Sequence, residues 1–244
     1  MRRTPTRRYR TVTRSADLFR SFLVEQTEPE RFYTDLANDT IELITRHEPL
    51  DGRLVLDVGA GSEQFGREFV TRGARYVAID LERDALNPGP SNGAVVGRGE
   101  QIPIADGSVD IVMANNVMEH VSTPGVLGDE MVRVVRPGGL VFISYTAWSS
   151  PWGGHETSPW HWFGGDYAAQ RYERKHGRPP KNIFGESMHA TTVAGGLRWA
   201  RNHPEAWLIE AAPRYHPDWA DGVLSLPGIR EVLTWNLMMV LRRT

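Results

Sequence analysis

A short apolar run that leads directly into a glycine turn restricts this chain more than any other feature. The segment reads Val-Leu-Asp-Val-Gly-Ala-Gly over residues 55–61, and helical sequence resumes at residue 64. Glycine permits backbone angles that other residues avoid, and it lets a ligand approach the main chain closely. A strand, a glycine turn and a helix in this order predict one unit of an α/β sheet with a ligand at the turn.

Short apolar runs alternate with helical patterns through the following sequence. The candidate strands are 53–58, 76–79, 94–96, 110–114 and 140–145, and the clearest helix is 124–134. This alternation predicts a chain of βαβ units with a parallel sheet. Further helical patterns are 15–48, interrupted at Pro29, and 192–201, with extended runs at 206–212 and 235–241.

Two stretches depart from this alternation. Residues 136–139 read Arg-Pro-Gly-Gly, which predicts a break between a helix and the fifth strand. Residues 146–190 contain four tryptophans and many glycines, a composition interpreted as too irregular for a helix. We predict that this second stretch is an aromatic-rich insertion or lid over the sheet.

Composition excludes several classes of protein. The 244 residues include no cysteine, so disulfides, thiolate zinc sites and cysteine nucleophiles are excluded. The formal net charge of −2 argues against a polycation that binds nucleic acid. No apolar run reaches the roughly 18 residues of a membrane-spanning helix, and a cytoplasmic location is expected.

Basic charge is concentrated at the N-terminus, where six arginines occur in the first 14 residues without an acidic residue. This pattern predicts a flexible basic arm over residues 1–14, followed by a single domain over residues 15–244. The arm is interpreted either as a solvated segment or as a peripheral contact with an anionic membrane or substrate.

Charge around the glycine turn distinguishes two classes of nucleotide cofactor. A dinucleotide needs the pattern Gly-x-Gly-x-x-Gly and places its pyrophosphate on the helix N-terminus, but this chain has Gln64 at the third glycine position. Asp57 and Glu63 add negative charge, which disfavours phosphate but favours the ammonium and sulfonium of S-adenosylmethionine. Asp80 ends the second strand 19 residues after Gly61, where a carboxylate can accept hydrogen bonds from ribose hydroxyls.

Five segments in this order resemble the motifs of class I S-adenosylmethionine-dependent methyltransferases. They are residues 55–61, 76–81, 97–110, 115–121 and 136–140. The resemblance covers about residues 50–145 as a cofactor-binding core, with 146–190 as the acceptor lid and 191–244 as C-terminal helices and closing strands. It implies a Rossmann-like fold with a seven-stranded, mostly parallel sheet that has helices on both faces and whose last strand is antiparallel. It also implies S-adenosyl-L-methionine as cofactor and S-adenosyl-L-homocysteine as product.

The resemblance also assigns cofactor-binding residues by position. Those implied around the methionine part are Asp57, Gly59, Ala60, Gly61 and Asn115. Those implied around the ribose and adenine are Asp80, Leu81, Gly99 and Glu100. Arg98 departs from the family, which often has an aspartate there, so no role is assigned to it.

A hydroxyl acceptor needs a group that removes its proton, and histidine is the natural base near neutral pH. The candidate histidines are His120, His155, His161, His189 and His216. We predict His155 and Glu156 as the catalytic residues, since they follow a glycine pair in the aromatic segment just past the fifth strand. His120 is interpreted as structural or cofactor-side. Mg²⁺ stays open as an additional cofactor, but the spacing of His155, Glu156, His161 and His189 matches no metal motif, and no metal ligand is assigned.

Five further short motifs lie at residues 144–146, 153–156, 174–177, 196–199 and 213–217. They are similar to those of a group of actinobacterial methyltransferases, whose broad relatives include enzymes that methylate sugars of polysaccharides or glycolipids. This likeness implies O-methylation of a hydroxyl on a sugar-containing or lipid-linked acceptor, such as a glycan or glycolipid. The alternatives are an amine, carbon or phenol acceptor on a small molecule, and a cofactor-binding regulator without turnover. Residues 115–118 lack the signature of nucleic-acid methyltransferases, so no nucleic-acid partner is expected. Monomer and homodimer both stay open.

Overall fold

A computed structural model describes residues 9–25, 27–61, 63–82, 86 and 93–244. In these ranges seven strands form one sheet, and α-helices cover its two faces. The strands are β1 Leu54–Val58, β2 Arg75–Asp80, β3 Gly93–Val96, β4 Val109–Asn115, β5 Val135–Thr146, β6 Ala206–Pro213 and β7 Asn236–Arg243. The helices are α1 Val12–Leu23, α2 Pro29–Thr45, α3 Glu63–Thr71, α4 Pro124–Val134, α5 Gly165–His176, α6 Val193–Asn202 and α7 Ile229–Leu233.

The strand order confirms the predicted architecture. Across the sheet the order is β3-β2-β1-β4-β5-β7-β6. Strands β1 to β5 pair in parallel, and β7 runs antiparallel to both of its neighbours, β5 and β6. Because the connections turn in opposite directions on either side of β1 and β4, a crevice opens at the carboxyl ends of these strands.

Successive side chains of a strand point to opposite faces of the sheet, so the strands contribute to two hydrophobic cores. In β1, Leu56 packs in the core that contains Leu127 of α4 and Leu197 of α6. Val55 packs in the opposite core, beneath α2 and α3. Burial on both faces is typical of a parallel sheet and explains why the strands read as continuous apolar runs.

The predicted break at residues 136–139 is an irregularity within β5 instead. Val135 pairs with Val109 and Leu140 pairs with Ile111, so the intervening residues bulge out of the ladder. Arg136 donates from Nε to Asp110 at 2.7 Å, which anchors the bulge to β4. The proline and glycines therefore interrupt the ladder without ending the strand.

Residues 9–14 do not form the flexible arm that the sequence predicted. Helix α1 begins at Val12, and Arg10 is only 3% exposed. Arg10 forms ion pairs with Asp218 at 3.2 Å and with Asp221 at 2.8 Å, so its charge is not available to a membrane. Residues 1–8, which carry the other predicted arm arginines except Arg14, lie outside the described residues. No helix within the described ranges has both the length and the apolar character needed to cross a bilayer.

The tryptophan segment, defined as residues 147–192, contains a regular helix that its composition did not predict. Helix α5 is rich in Ala, Gln, Glu, Arg and Lys, which favour helix, and the tryptophans lie outside it. It ends at Gly177, whose φ of +70° is the left-handed conformation typical of a helix C-terminus. Earlier in the segment, short 3₁₀ turns form at His155–Thr157 and Trp160–Phe163.

Candidate active site

The glycine turn lies at the carboxyl end of β1 and contacts the turn that follows β4. Gly59 and Gly61 have φ angles of +71° and +50°, in the left-handed region that favours glycine. A Cβ atom on Gly59 would lie 2.5 Å from Cγ2 of Val117. The two turns therefore form one continuous edge, and the glycine is required for their close approach.

Asp57 is a buried carboxyl group immediately before this turn. It is 3% exposed and accepts a hydrogen bond from the hydroxyl of Tyr76. Burial is the main reason that the pKa of Asp57 is raised to about 7; the Tyr76 hydrogen bond opposes this shift, and the neighbouring charge of Asp80 adds to it. A nearby cation stabilises the ionised form of such a buried carboxyl group, so Asp57 suits an ammonium group bound at the turn.

Asp80 and Leu81 lie at the end of the neighbouring strand, β2. Asp80 accepts from the backbone N of Gly61 at 3.4 Å and from that of Glu82 at 3.1 Å. Leu81 is 58% exposed, so its apolar side chain is open to a flat ring. This arrangement suits their predicted places beside a ribose and an adenine, and both roles stay predictions.

Gly99 and Glu100 follow β3, next to the end of β1. A Cβ atom on Gly99 would lie 2.7 Å from Cδ1 of Leu127 and 3.3 Å from Cγ1 of Val58. Gly99 is therefore needed for packing between α4 and β1. Glu100 is half-buried beside it, and its predicted place along the adenine edge stays a prediction.

Asn115 connects the site to a buried arginine that the sequence reasoning missed. Its Oδ1 accepts from Arg214 Nη1 at 2.8 Å and from Ser144 Oγ at 3.2 Å. Arg214 is fully buried and pairs with Asp39 at 3.2 Å, while its Nη2 donates to Thr40 at 2.6 Å. The buried Nδ2 of Asn115 has no hydrogen-bond partner among the described residues, so it is a free donor at the end of β4.

Glu119, His120 and His155 converge just beyond β4. Each offers a ligand-type nitrogen or oxygen, and these atoms lie within 4.8 Å of one another. Glu119 is 2% exposed; its Oε1 accepts from the backbone N of Thr146 at 2.9 Å, and its Oε2 has no partner in the described part of the chain. His120 Nδ1 lies 2.7 Å from the carbonyl O of Ser187. In the neutral ring Nδ1 therefore carries the hydrogen and Nε2 keeps a lone pair.

His155 enters this cluster from the tryptophan segment. Its φ of +50° is unusual for a residue other than glycine, and its ring centroid is 5.2 Å from that of His120. The buried Nε2 of His155 finds no partner among the residues described. Burial lowers the pKa of His155 to about 4, with a further contribution from His120, so the ring is neutral at pH 7. Burial also raises the pKa of Glu119.

Glu156, predicted as catalytic beside His155, forms hydrogen bonds with Asn182, beyond the end of α5. Its two carboxylate oxygens accept from the backbone N and from Nδ2 of Asn182, both at 2.8 Å. Burial acts to raise the pKa of Glu156, but these hydrogen bonds outweigh it and the net shift is downward. Glu156 therefore fastens the turn that carries His155.

The histidines and acid considered as metal ligands in the sequence are not brought together. His161 is 1% exposed, and its Nε2 lies 3.1 Å from the carbonyl O of Ser150. Its ring packs edge-on against Trp148 at 5.1 Å, so it belongs to the interior of the tryptophan segment. The geometry selects His155 from the predicted set and joins it to Glu119 and His120. Glu119 was missed, although its place in Glu-His just after the fourth strand was an available local signal.

An aromatic cluster borders this edge of the sheet. Phe22 of α1 lies 5.2 Å from Trp152, and Trp152 lies 6.3 Å from Trp235, measured between ring centroids. Trp235 immediately precedes β7, where Asn236 donates to Asn116 at 2.8 Å. The cluster therefore adjoins the turn after β4.

A second group of aromatic side chains faces solvent on the tryptophan segment. Their exposed fractions, from 37% to 72%, leave large apolar surfaces in water. The members of this exposed aromatic patch are Trp160, Trp162, Phe163, Tyr167 and Phe184. Exposed apolar surface of this kind is typical of a binding surface.

The chain is similar to proteins of a known family. Residues 56–143 match the family described as "Methyltransferase domain". An uncharacterized methyltransferase of Mycobacteroides abscessus is 45% identical, covering 95% of both chains. One from Mycolicibacterium gilvum is 46% identical, covering 96% of both chains.

Solved structures share the fold at much lower identity. The S-adenosylmethionine-dependent methyltransferase from Mesorhizobium loti has a TM-score of 0.56 and 16% identity, covering 80% of this chain and 93% of that one. The S-adenosylmethionine-dependent methyltransferase from Aquifex aeolicus has a TM-score of 0.53 and 14% identity, covering 94% and 98%. At these identities the likeness is one of fold.

Proposed function

Since the chain belongs to the class I S-adenosylmethionine-dependent methyltransferases, we propose that it methylates a hydroxyl on a sugar-containing or lipid-linked acceptor. When bound, S-adenosyl-L-methionine supplies a methyl group on a positively charged sulfur, and S-adenosyl-L-homocysteine is the product. The convergence of Glu119, His120 and His155 carries the proposal. A hydroxyl oxygen attacks well only when its proton is drawn away, and this cluster presents lone pairs next to the glycine turn.

Each part of the site has a proposed role in binding or orientation. Asp57 and the backbone at Gly59 hold the methionine end of the cofactor, and Asp80 holds the ribose. The neutral ring of His155 accepts a hydrogen bond from the acceptor hydroxyl and orients its oxygen. Glu156 is a positioning residue, because its hydrogen bonds to Asn182 fix the turn on which His155 lies.

Aromatic surface supports a carbohydrate or lipid as the rest of the acceptor. The flat face of tryptophan packs against sugar rings and acyl chains. The aromatic cluster adjoins the turn after β4, and the exposed aromatic patch offers a second apolar surface on the same segment. A phenolate, an amine or an enol needs less help with proton removal, so such an acceptor would leave the three-residue cluster without a clear task.

Incubation with S-adenosylmethionine labelled in its methyl group tests the proposal. The purified protein is incubated with separated fractions of glycans, polar lipids and small metabolites from a bacterial extract. We expect label in a carbohydrate or glycolipid fraction, in a methyl ether that resists mild base. Label in an amine, at carbon or in a phenol of a small metabolite would contradict the proposed acceptor class.

Cofactor binding depends on Asp80 in this proposal. Asp80→Ala is expected to weaken S-adenosylhomocysteine binding about 10- to 100-fold, or roughly 1.4–2.8 kcal/mol, since the ribose hydroxyls lose a charged acceptor. Isothermal titration calorimetry measures the change. Glu82→Ala, an exposed carboxylate two residues later, is the matched control and should bind like the wild type. Equal affinity in the Asp80 variant would remove Asp80 from the site.

Binding should also depend on pH through Asp57. Its pKa is raised to about 7 in the free protein, and the cofactor ammonium favours the ionised form. Binding therefore releases a proton, and affinity should rise by up to about tenfold per pH unit as pH increases toward 7, then level off. Calorimetry in buffers of different ionisation enthalpy measures the released proton. Asp57→Asn should bind more weakly and lose this pH dependence; an unchanged dependence would assign the proton to another group.

A further inference from the structure

We infer that Glu119, His120 and His155 form a binding site for a divalent transition-metal ion. Two imidazoles and one carboxylate, with ligand atoms within 4.8 Å of one another, surround a common point just beyond β4. The site goes beyond methyl transfer as such. Its role toward the acceptor, described below, rests on the proposed function, whereas metal binding itself does not.

Lone pairs without a hydrogen-bond partner in the described part of the cluster indicate that it binds a ligand. Glu119 is 2% exposed, and its Oε2 has no hydrogen-bond partner within the described chain. No arginine or lysine among the described residues forms an ion pair with this buried carboxylate. Such a group is costly unless it is neutralised or bonded, and a cation between Glu119 and the two rings would do both.

The surrounding hydrogen bonds orient two of the three side chains, His120 and Glu119, as metal ligands are usually oriented. The carbonyl of Ser187 accepts the Nδ1 hydrogen of His120, which leaves the lone pair of Nε2 to coordinate a metal ion. The backbone N of Thr146 holds Oε1 of Glu119, which leaves Oε2. The left-handed φ of +50° at His155 is a strained conformation of the kind found at functional sites.

The donor set indicates which metal is preferred. Imidazole nitrogen suits Fe²⁺, Ni²⁺, Cu²⁺ and Zn²⁺, whereas Mg²⁺ prefers oxygen ligands and retains its waters. We therefore expect a first-row transition ion rather than the Mg²⁺ that the sequence left open. Three protein ligands leave coordination positions for an oxygen of another molecule.

In methyl transfer, those open positions would take the acceptor oxygen. Coordination lowers the pKa of the hydroxyl, whose proton leaves to solvent. The oxygen lone pair then forms the new C–O bond while the C–S bond breaks, and the sulfur keeps that electron pair as a neutral thioether. The lone pair of His155 would in this case hold the ion, which in turn orients the oxygen.

Mn²⁺ binding to chelator-treated, tag-free protein tests the site by electron paramagnetic resonance, with Zn²⁺ and Mg²⁺ as competitors. We expect about one equivalent of bound Mn²⁺ per chain, displaced by Zn²⁺ much more readily than by Mg²⁺. Glu119→Gln and His155→Asn should weaken binding about 100-fold or more. Gln keeps an oxygen for Thr146, and Asn tolerates the positive φ at residue 155. Glu173→Gln and His176→Gln, on α5, are the matched controls and should bind like the wild type.

Two further measurements keep the result interpretable. Pulsed resonance on the wild type should show nitrogen couplings from coordinated imidazole, which does not depend on whether a variant folds. Affinity for S-adenosylhomocysteine should stay within about twofold in the variants that fold. No Mn²⁺ or Zn²⁺ binding, binding without imidazole couplings, or equal binding in the cluster variants would overturn the site. Labelling of a glycan or glycolipid by metal-free protein would also overturn the catalytic role of the ion, while leaving the proposed acceptor intact.

Discussion

Asp39→Ala is expected to lower the free energy of unfolding by about 3–5 kcal/mol. Arg214 is fully buried, and Asp39 is its ion-pair partner at 3.2 Å. Asp39 also accepts from Nε of Arg14 at 2.7 Å, so one carboxylate neutralises two arginines. Its removal leaves a positive charge in the interior with neutral hydrogen-bond partners only. Denaturation in urea, with the slope of the transition compared between proteins, measures the loss.

An exposed ion pair on α1 provides the control. Asp17 pairs with Arg20 at 2.8 Å, and both side chains are more than half exposed. Asp17→Ala should therefore cost no more than about 0.5 kcal/mol. The double variant Asp39→Leu/Arg214→Met removes the buried charge of Arg214 and leaves only the less buried Arg14 without its carboxylate. It should therefore be more stable than Asp39→Ala alone. A loss below about 1 kcal/mol in Asp39→Ala would mean that the neutral partners of Arg214 are sufficient.

Local patterns predicted most of the sheet because its elements are defined by nearby residues. Helix α4 occupies the predicted residues, since Pro124 begins it and an apolar stripe buries Leu127 and Met131. The glycine turn after β1 was visible for the same reason. Helix α5 was missed because the tryptophans of the surrounding segment dominated its interpretation, although residues 166–176 have strong helix formers.

The polar contacts of the site could not be predicted in this way. Arg214 and Asp39 are 175 residues apart, and a buried ion pair leaves no periodic pattern in the sequence. His155 was selected for its unusual local sequence, but its neighbour was taken to be Glu156. The structure turns Glu156 toward Asn182 and brings His155 to Glu119. That pairing depends on the path of the tryptophan segment, which is a tertiary property.

The largest functional effect is expected when the cluster after β4 loses one member. His155→Asn and Glu119→Gln should each lower turnover about 100- to 1,000-fold, whether the cluster holds the hydroxyl directly or through a cation. The acceptor oxygen would keep its proton and lose its orientation. Incorporation of labelled methyl groups into the fraction that the wild type labels, at saturating cofactor, measures this change.

The interpretation depends on separating chemistry from folding and from cofactor binding. His155→Asn removes the imidazole while tolerating the left-handed backbone, and Glu119→Gln keeps the hydrogen bond from Thr146. Both variants should therefore bind S-adenosylhomocysteine like the wild type, and the loss should appear in kcat more than in the KM for the cofactor. Glu156→Gln keeps one oxygen to accept from the backbone N of Asn182, and its amide nitrogen can donate to Oδ1 of Asn182 once that side chain flips. It should therefore lose much less activity, because Glu156 acts through position alone in this proposal. Wild-type turnover in either cluster variant would exclude that side chain from the chemistry. A loss as large in Glu156→Gln would support the catalytic role that the sequence predicted for Glu156 together with His155.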